Sequence, residues 1–304
     1  MFETLKNVFR VKEMRRKLLY LIWMIFIIRI GCQIPVPGVD SDFFKQWFSS
    51  NAGDAFNFFD AFTGGSFERM SIFALNITPY ITSSIIIQLL TIAIPALEEM
   101  QRDGEEGRKK MTAITRYVTV GLALFESIAM AIGFGRQGMI PNLDFFKGVV
   151  VVACLTAGSA MLMWLGERIT EKGVGNGISI VLTINIISRV PSDLTLLYEN
   201  FIKGKTIAKG TLAGLIIAAV ILLVVVLVLI LNGAERRIPV QYSKKMVGRK
   251  LMGGQSTNIP LKVNTAGVIP VIFASSIMSF PAVIAQLTGK GNGTGIGSEI
   301  IRGL

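Results

Sequence analysis

Histidine is absent from this chain, and cysteine occurs only twice, as Cys32 and Cys154, with no CxxC spacing. A structural zinc site, a dithiol redox motif and imidazole base chemistry therefore lack their side chains. No serine has a neighbour suited to act as its base, so the nucleophile–base pair of covalent catalysis is missing. The glycine-rich stretch GVGNGIS has no GK[ST] and lies outside any strand–helix unit, which argues against a phosphate loop. Charge is sparse as well: Asp, Glu, Lys and Arg make up 17% of the 304 residues, against 51% hydrophobic. The expectation is a non-enzyme with no metal and no cofactor.

What the chain does contain is a series of long apolar runs. They cover 18–35, 71–96, 117–134, 148–165, 178–194, 211–231 and 265–287. About 20 mostly apolar residues are needed to cross a hydrocarbon core about 30 Å thick. Inside that core each backbone group must be satisfied within its own segment, so the runs should be helices. The first run is not a cleavable leader, because it is long, contains Arg29, and lacks a small-residue cleavage site before Gln33-Ile34-Pro35. The expected fold is an all-alpha, polytopic membrane helical bundle.

The formal net charge of +11 finds its explanation in where the charges fall. If residues 1–17 are cytoplasmic, so are the loops 96–116, 166–177 and 232–264. These four stretches carry 20 Lys/Arg against 10 Asp/Glu, whereas the other side is nearly balanced. The positive-inside rule then places the N-terminus inside and residue 304 outside after seven crossings.

Between the runs, several segments have characters of their own. Residues 1–17 read as an amphipathic helix on the inner surface. Spans one to five fill 18–194, spans six and seven fill most of 195–287, and 288–304 form a glycine-rich external tail. The external stretch 36–70 is rich in aromatic and small residues and is either a cap on the helix ends or a short helix from Asp60 to Met70 folded back toward the membrane. The second run is interrupted by Pro79, where a kink is expected, and brings Ser83, Ser84 and Gln88 into a span. Those polar groups suit either helix–helix packing or a polar interior. Residues 97–110 read as a tight charged loop. The fifth run, followed by Pro191, reads as a short helix buried in protein. The loop 232–264 carries seven Lys/Arg and one Glu, with strand-like patterning in RRIPVQYSKK and a turn in GRKLMGG. Its basic projection suits contact with anionic lipid or docking of a large partner.

The stretches GGSFERMSIFALNITPYITSSIIIQLL, GRKKMTAITRY, MWLGERITEKGVGNGISI, ERRIPVQY and GGQSTNIPLKVNTAGVIPVIFASSI, taken in order, resemble the SecY/Sec61-alpha family and cover nearly all of residues 1–286. The resemblance implies a protein-conducting channel of ten spans, of which this chain holds the first seven. The expectation is therefore a truncated or split chain, or a fragment of a longer one. It implies that unfolded secretory polypeptides cross the bacterial plasma membrane, and that membrane segments leave sideways into lipid.

Roles follow by the same resemblance. A pore ring would consist of Ile77, Ile81, Leu182 and Ile272. Branched aliphatic groups at a constriction exclude water and ions without offering hydrogen bonds to a passing peptide. A plug region, 57–75, would include Phe59, Gly64, Gly65, Ser66, Phe67, Glu68 and Arg69. Lateral-gate residues would be Gln88 and Thr91 facing Ser275 and Ser276. Arg236, Arg237, Lys244, Lys245, Arg249 and Lys250 would dock a SecA-like ATPase motor or the ribosome. SecE-like and SecG-like small subunits, membrane lipids and signal-sequence-bearing substrates complete the implied partners. The competing expectation is a secondary transporter with broken helices, which would need a paired ionisable site at mid-membrane. Only Arg29 and Glu126 are candidates for it.

Overall fold

A computed structural model describes residues 11–41, 43–46, 60–136, 138, 140, 144–203, 207–240, 245–247, 250–252, 257–265, 267, 271 and 274. Phe59, Lys244, Arg249, Ile272, Ser275, Ser276, residues 1–10, most of the seventh run and the tail 288–304 lie outside the described residues. The chain divides into two compact units, the second being Ser192–Ile272.

In the first unit, α1 spans Lys12–Gly31. It starts before the boundary expected after residue 17, because nothing in MRRKLL breaks a helix and Glu13 pairs with Lys17 one turn on, at 3.1 Å. The second run is not one helix. Asn76 takes a left-handed backbone with φ +53°, and α2 begins only at Thr78 and ends at Ala93. Pro79 therefore sits in the first turn, where its missing N–H costs nothing, rather than kinking a helix interior. Residues 64–77 form consecutive turns ahead of it.

Ile94 is extended, as a residue before proline prefers to be, and α3 (Pro95–Arg102) leaves α2 at a bend of 104°. The charged loop expected at 97–110 is helical on both sides of a corner at Asp103. Its residues are good helix formers with i,i+4 pairs, Glu98–Arg102 at 2.6 Å and Glu106–Lys110 at 3.5 Å. Gly104, at φ +72°, supplies the turn into α4 (Gly104–Arg136).

Helix α5 (Phe145–Lys172) opens on Asp144, whose side chain accepts from the Phe145 amide at 2.8 Å. Ser127 and Thr156 hydroxyls meet at 3.1 Å between α4 and α5, and Ser83 Oγ donates to the Thr115 carbonyl at 2.9 Å between α2 and α4. Both are small-residue crossings of the kind membrane helices use to approach closely.

Helix α6 (Gly177–Phe201) continues through Pro191 and outruns the short helix expected there. Its burial is also less than expected. Within the described residues only Gly177, Val181 and Asn185, spaced four apart, are buried, because one narrow stripe alone faces the first unit's interior.

In the second unit, α7 (Ile207–Gly233) is apolar on every face, and none of its most apolar window is buried among the described residues. Only Ala234 separates it from β1 (Glu235–Val240), which pairs antiparallel with β4 (Thr257–Lys262). Nested beyond them, β2 (Lys245–Val247) pairs with β3 (Lys250–Met252). The strand reading of 232–264 thus holds for the described part, but Lys250–Met252, expected within a turn, form β3, and the other residues of GRKLMGG lie outside the described ones.

The architecture is an all-alpha polytopic bundle in which, among the described residues, the strands lie in one loop. Helices α4, α5, α6 and α7 are long and apolar enough to cross a membrane, and the bent pair α2–α3 makes a fifth if counted as one span. Helix α1 stays outside that set because Lys12, Glu13, Arg15, Arg16, Lys17 and Arg29 interrupt its apolar run.

Candidate functional site: a segment held between helices

Residues 60–77 are the element that the rest of the first unit surrounds. Asp60, Thr63, Ser66, Phe67, Met70, Ser71 and all of 73–77 are buried. Burying this much irregular backbone requires partners for its polar groups, and they can be traced. Pro35 and Ser71 form an isolated bridge, flanked by Val36 N–H to Met70 O at 2.9 Å and Ile72 N–H to Ile34 O at 3.0 Å. The end of α1 and the segment therefore lie side by side as a short antiparallel pair. Phe67 joins Phe44 and Phe134 in an edge-to-face cluster with centroids 5.0 to 6.1 Å apart.

On the opposite side, a directed chain of hydrogen bonds enters from α1. Arg29 Nη1 donates to Asn185 Oδ1 at 3.2 Å; Asn185 Nδ2 donates to Asn76 Oδ1 at 3.0 Å; Asn76 Nδ2 donates to the Phe62 carbonyl at 2.9 Å. The Asn76 carbonyl in turn accepts from Ser159 Oγ of α5 at 3.2 Å. Asp60, fully buried, accepts from the Glu68 amide at 2.9 Å and from Thr63 Oγ1 at 3.2 Å, and its other oxygen pairs with Arg189 of α6. Arg69 is exposed and donates to Gln33 Oε1.

Two glycines make the fit possible. Gly64, at φ +67°, lies so close to α6 that a Cβ would come within 2.6 Å of the Asn185 carbonyl oxygen. Gly65, at φ +79°, completes the left-handed turn with open space beside it.

Of the aliphatic residues singled out from the sequence, Ile77 caps the start of α2, is fully buried, and accepts the Ile81 amide at 3.1 Å. Ile81 and Leu182 are half-buried. On the far half of α2 the two gate candidates differ: Thr91 is buried with its hydroxyl donated to the Ile87 carbonyl at 2.7 Å, whereas Gln88 is exposed beside Ser84 at 3.4 Å. In the second unit, Arg236 and Arg237 are exposed on β1, in register with Leu261 and Pro260, and the backbones of Lys245 and Lys250 lie in β2 and β3.

Sequence reasoning passed over Asn76, Asn185 and Arg189. Their signal was present, since amides and charges inside apolar runs are costly unless they meet one another. Which of them meet required the fold. Arg29, considered for a transporter site, is engaged by an amide rather than by a carboxylate.

The family model that matches is SecY, over residues 71–302. The protein translocase subunit SecY of Halalkalibacterium halodurans is 44% identical over 298 residues, covering 95% of this chain and 68% of that protein. The Escherichia coli K12 protein of the same name is 43% identical over 285 residues, covering 92% and 64%. Among solved structures, one of a protein-conducting channel superposes with TM-score 0.60 at 18% identity, covering 90% of this chain and 58% of that one. A second concerns the SecY plug domain, described as stabilising the closed state of the translocation channel and maintaining a membrane seal; it gives TM-score 0.58 at 19% identity and the same coverage. At such identities these structures bear on the fold alone. The chain spans about two thirds of the length of its curated relatives and less of the solved channels. With this much of its length matched by the family model and by bacterial relatives, this multi-pass membrane protein belongs to the SecY family.

Proposed function

We propose that the chain is the first seven-span portion of a bacterial protein-conducting channel, which passes unfolded secretory polypeptides across the membrane and membrane segments sideways into lipid. The observation that carries this reading is the segment 60–77. Only residues 60–63 are helical, short of the helix expected from Asp60 to Met70, and the rest continues as turns buried among α1, α5 and α6. Irregular backbone at membrane depth is tolerated only inside protein or beside a water-filled cavity. Segment 57–75 is then the plug, on the external side if the N-terminus is cytoplasmic.

Ile77, Ile81 and Leu182, with Ile272, form the proposed constriction. The close packing of Ile77 beneath the segment suits a closed state in which the ring is covered. Gln88 and Thr91 would border the sideways opening with Ser275 and Ser276. The exposed Arg236 and Arg237, with Lys244, Lys245, Arg249 and Lys250, would receive a SecA-like motor or the ribosome, which supplies the energy. SecE-like and SecG-like subunits would brace the bundle. Relatives named as protein translocase subunits favour this over a secondary transporter.

The test is a photo-crosslinker at Ile81 in the complete channel, with a secretory chain stalled in transit. Capture of that chain at Ile81, and its absence at the lipid-facing Phe146, is the expected result. No capture at Ile81 would sink the proposal.

A further inference from the structure

The two oxygens of Asp60 do different things. Oδ1 is used within its own segment, accepting from the Glu68 amide and Thr63. Oδ2 faces outward to the Arg189 guanidinium on α6, in a fully buried position. A buried carboxylate is tolerated only while paired, so this contact is either made or the segment must move to water. Three contacts converge on one turn of α6: Asn185 holds Asn76, its carbonyl faces Gly64, and Arg189 four residues on pairs with Asp60.

We infer that the Asp60–Arg189 pair is a latch that holds the plug-like segment on α6, and that Arg29–Asn185–Asn76 is the fixed seat on which it closes. This rests on the channel reading above and extends it. Asn76 stays with the start of α2, and its carbonyl stays with Ser159 of α5, so the seat survives any movement of 60–70. Movement would instead break Asp60 from Arg189, the Phe62 carbonyl from Asn76, Arg69 from Gln33, the Met70 carbonyl from the Val36 amide, and Phe67 from Phe44 and Phe134. Gly64 would leave the Asn185 carbonyl without resistance from a side chain. The pair is the buried ionic contact among these, so its strength contributes to how strongly an incoming segment must bind before the path opens, which makes Asp60 and Arg189 determinants of substrate stringency.

The experiment uses the complete channel complex in planar bilayers, with a deletion of residues 60–70 as the open reference. Arg189→Gln removes the outward contact and leaves the inner bonds of Asp60 intact. Closed-state ion conductance should rise at least about tenfold toward the deletion, as expected for loss of a buried pair. Gly64→Ala, which forces the segment off α6 by sterics rather than charge, should do the same. Hydrogen exchange should quicken at the Glu68 and Met70 amides while α4 and α5 stay protected. A leaking deletion with a tight Arg189→Gln channel would overturn the latch and leave the channel reading standing. A tight deletion would overturn both. Faster exchange throughout α4 and α5 would make the pair an ordinary fold contact, and would also end the proposal.

Discussion

The carbonyl of Ile72 lies against Gly158 on α5, so close that a Cβ at that position would overlap the Ile72 oxygen. This contact seats the middle of the buried segment on a helix that has no side chain at that point. Gly158→Ala should therefore lower stability by about 1–3 kcal/mol, the usual cost of overpacking. Gly148→Ala on the same helix meets open space and should be neutral or slightly stabilising. Thermal unfolding of the purified complex in detergent checks the pair, and equal melting shifts would contradict the close approach.

Ser83→Ala should cost about 1 kcal/mol, because it removes the hydroxyl that bonds the Thr115 carbonyl across α2 and α4, a carbonyl that keeps Thr119 Oγ1 as a donor at 2.7 Å. Ser83→Val should cost more, since it loses the same bond and also adds volume at a buried crossing. Denaturant midpoints for the two variants give the order directly.

Replacing Ile81 and Leu182 together with serine should raise ion leak through the complete, reconstituted channel, since wetting of a narrow waist depends on apolar lining. The outcome that counts against their placement is conductance indistinguishable from the parent.

Arg236→Glu with Arg237→Glu should weaken binding of the motor or ribosome and flatten its salt dependence, because both side chains are exposed on β1. Membrane insertion of the chain itself should be unchanged. Binding titrations at low and high salt distinguish this from a merely structural effect on the strands.

Much of the bundle was legible in the sequence because apolar length is itself the physical requirement for spanning. Helices α4, α5 and α7 fall where the runs predict them. A first strand in the basic loop was legible from alternation, whereas Lys250–Met252, which looked like part of a glycine-flanked turn, are strand. Three further features were not legible. Pro79 reads the same in a sequence whether it kinks a helix or begins one, and the left-handed Asn76 decides the matter. The 97–110 stretch looks like a loop by charge, yet its charges pair at helical spacing. Pro191 looks like a terminator, but α6 runs on through it. The polar network around Asn76 joins residues as far as 156 positions apart, a distance no local pattern can bridge.

The nested strands beyond α7 carry a mechanical corollary. Gly233 ends the helix and the first strand residue is Glu235, while the Val263 amide is tied back to the Ala234 carbonyl at 3.0 Å. The root of the ladder thus has no slack. A load applied to the β1–β4 ladder therefore has no slack to take up at that junction and passes to the end of α7.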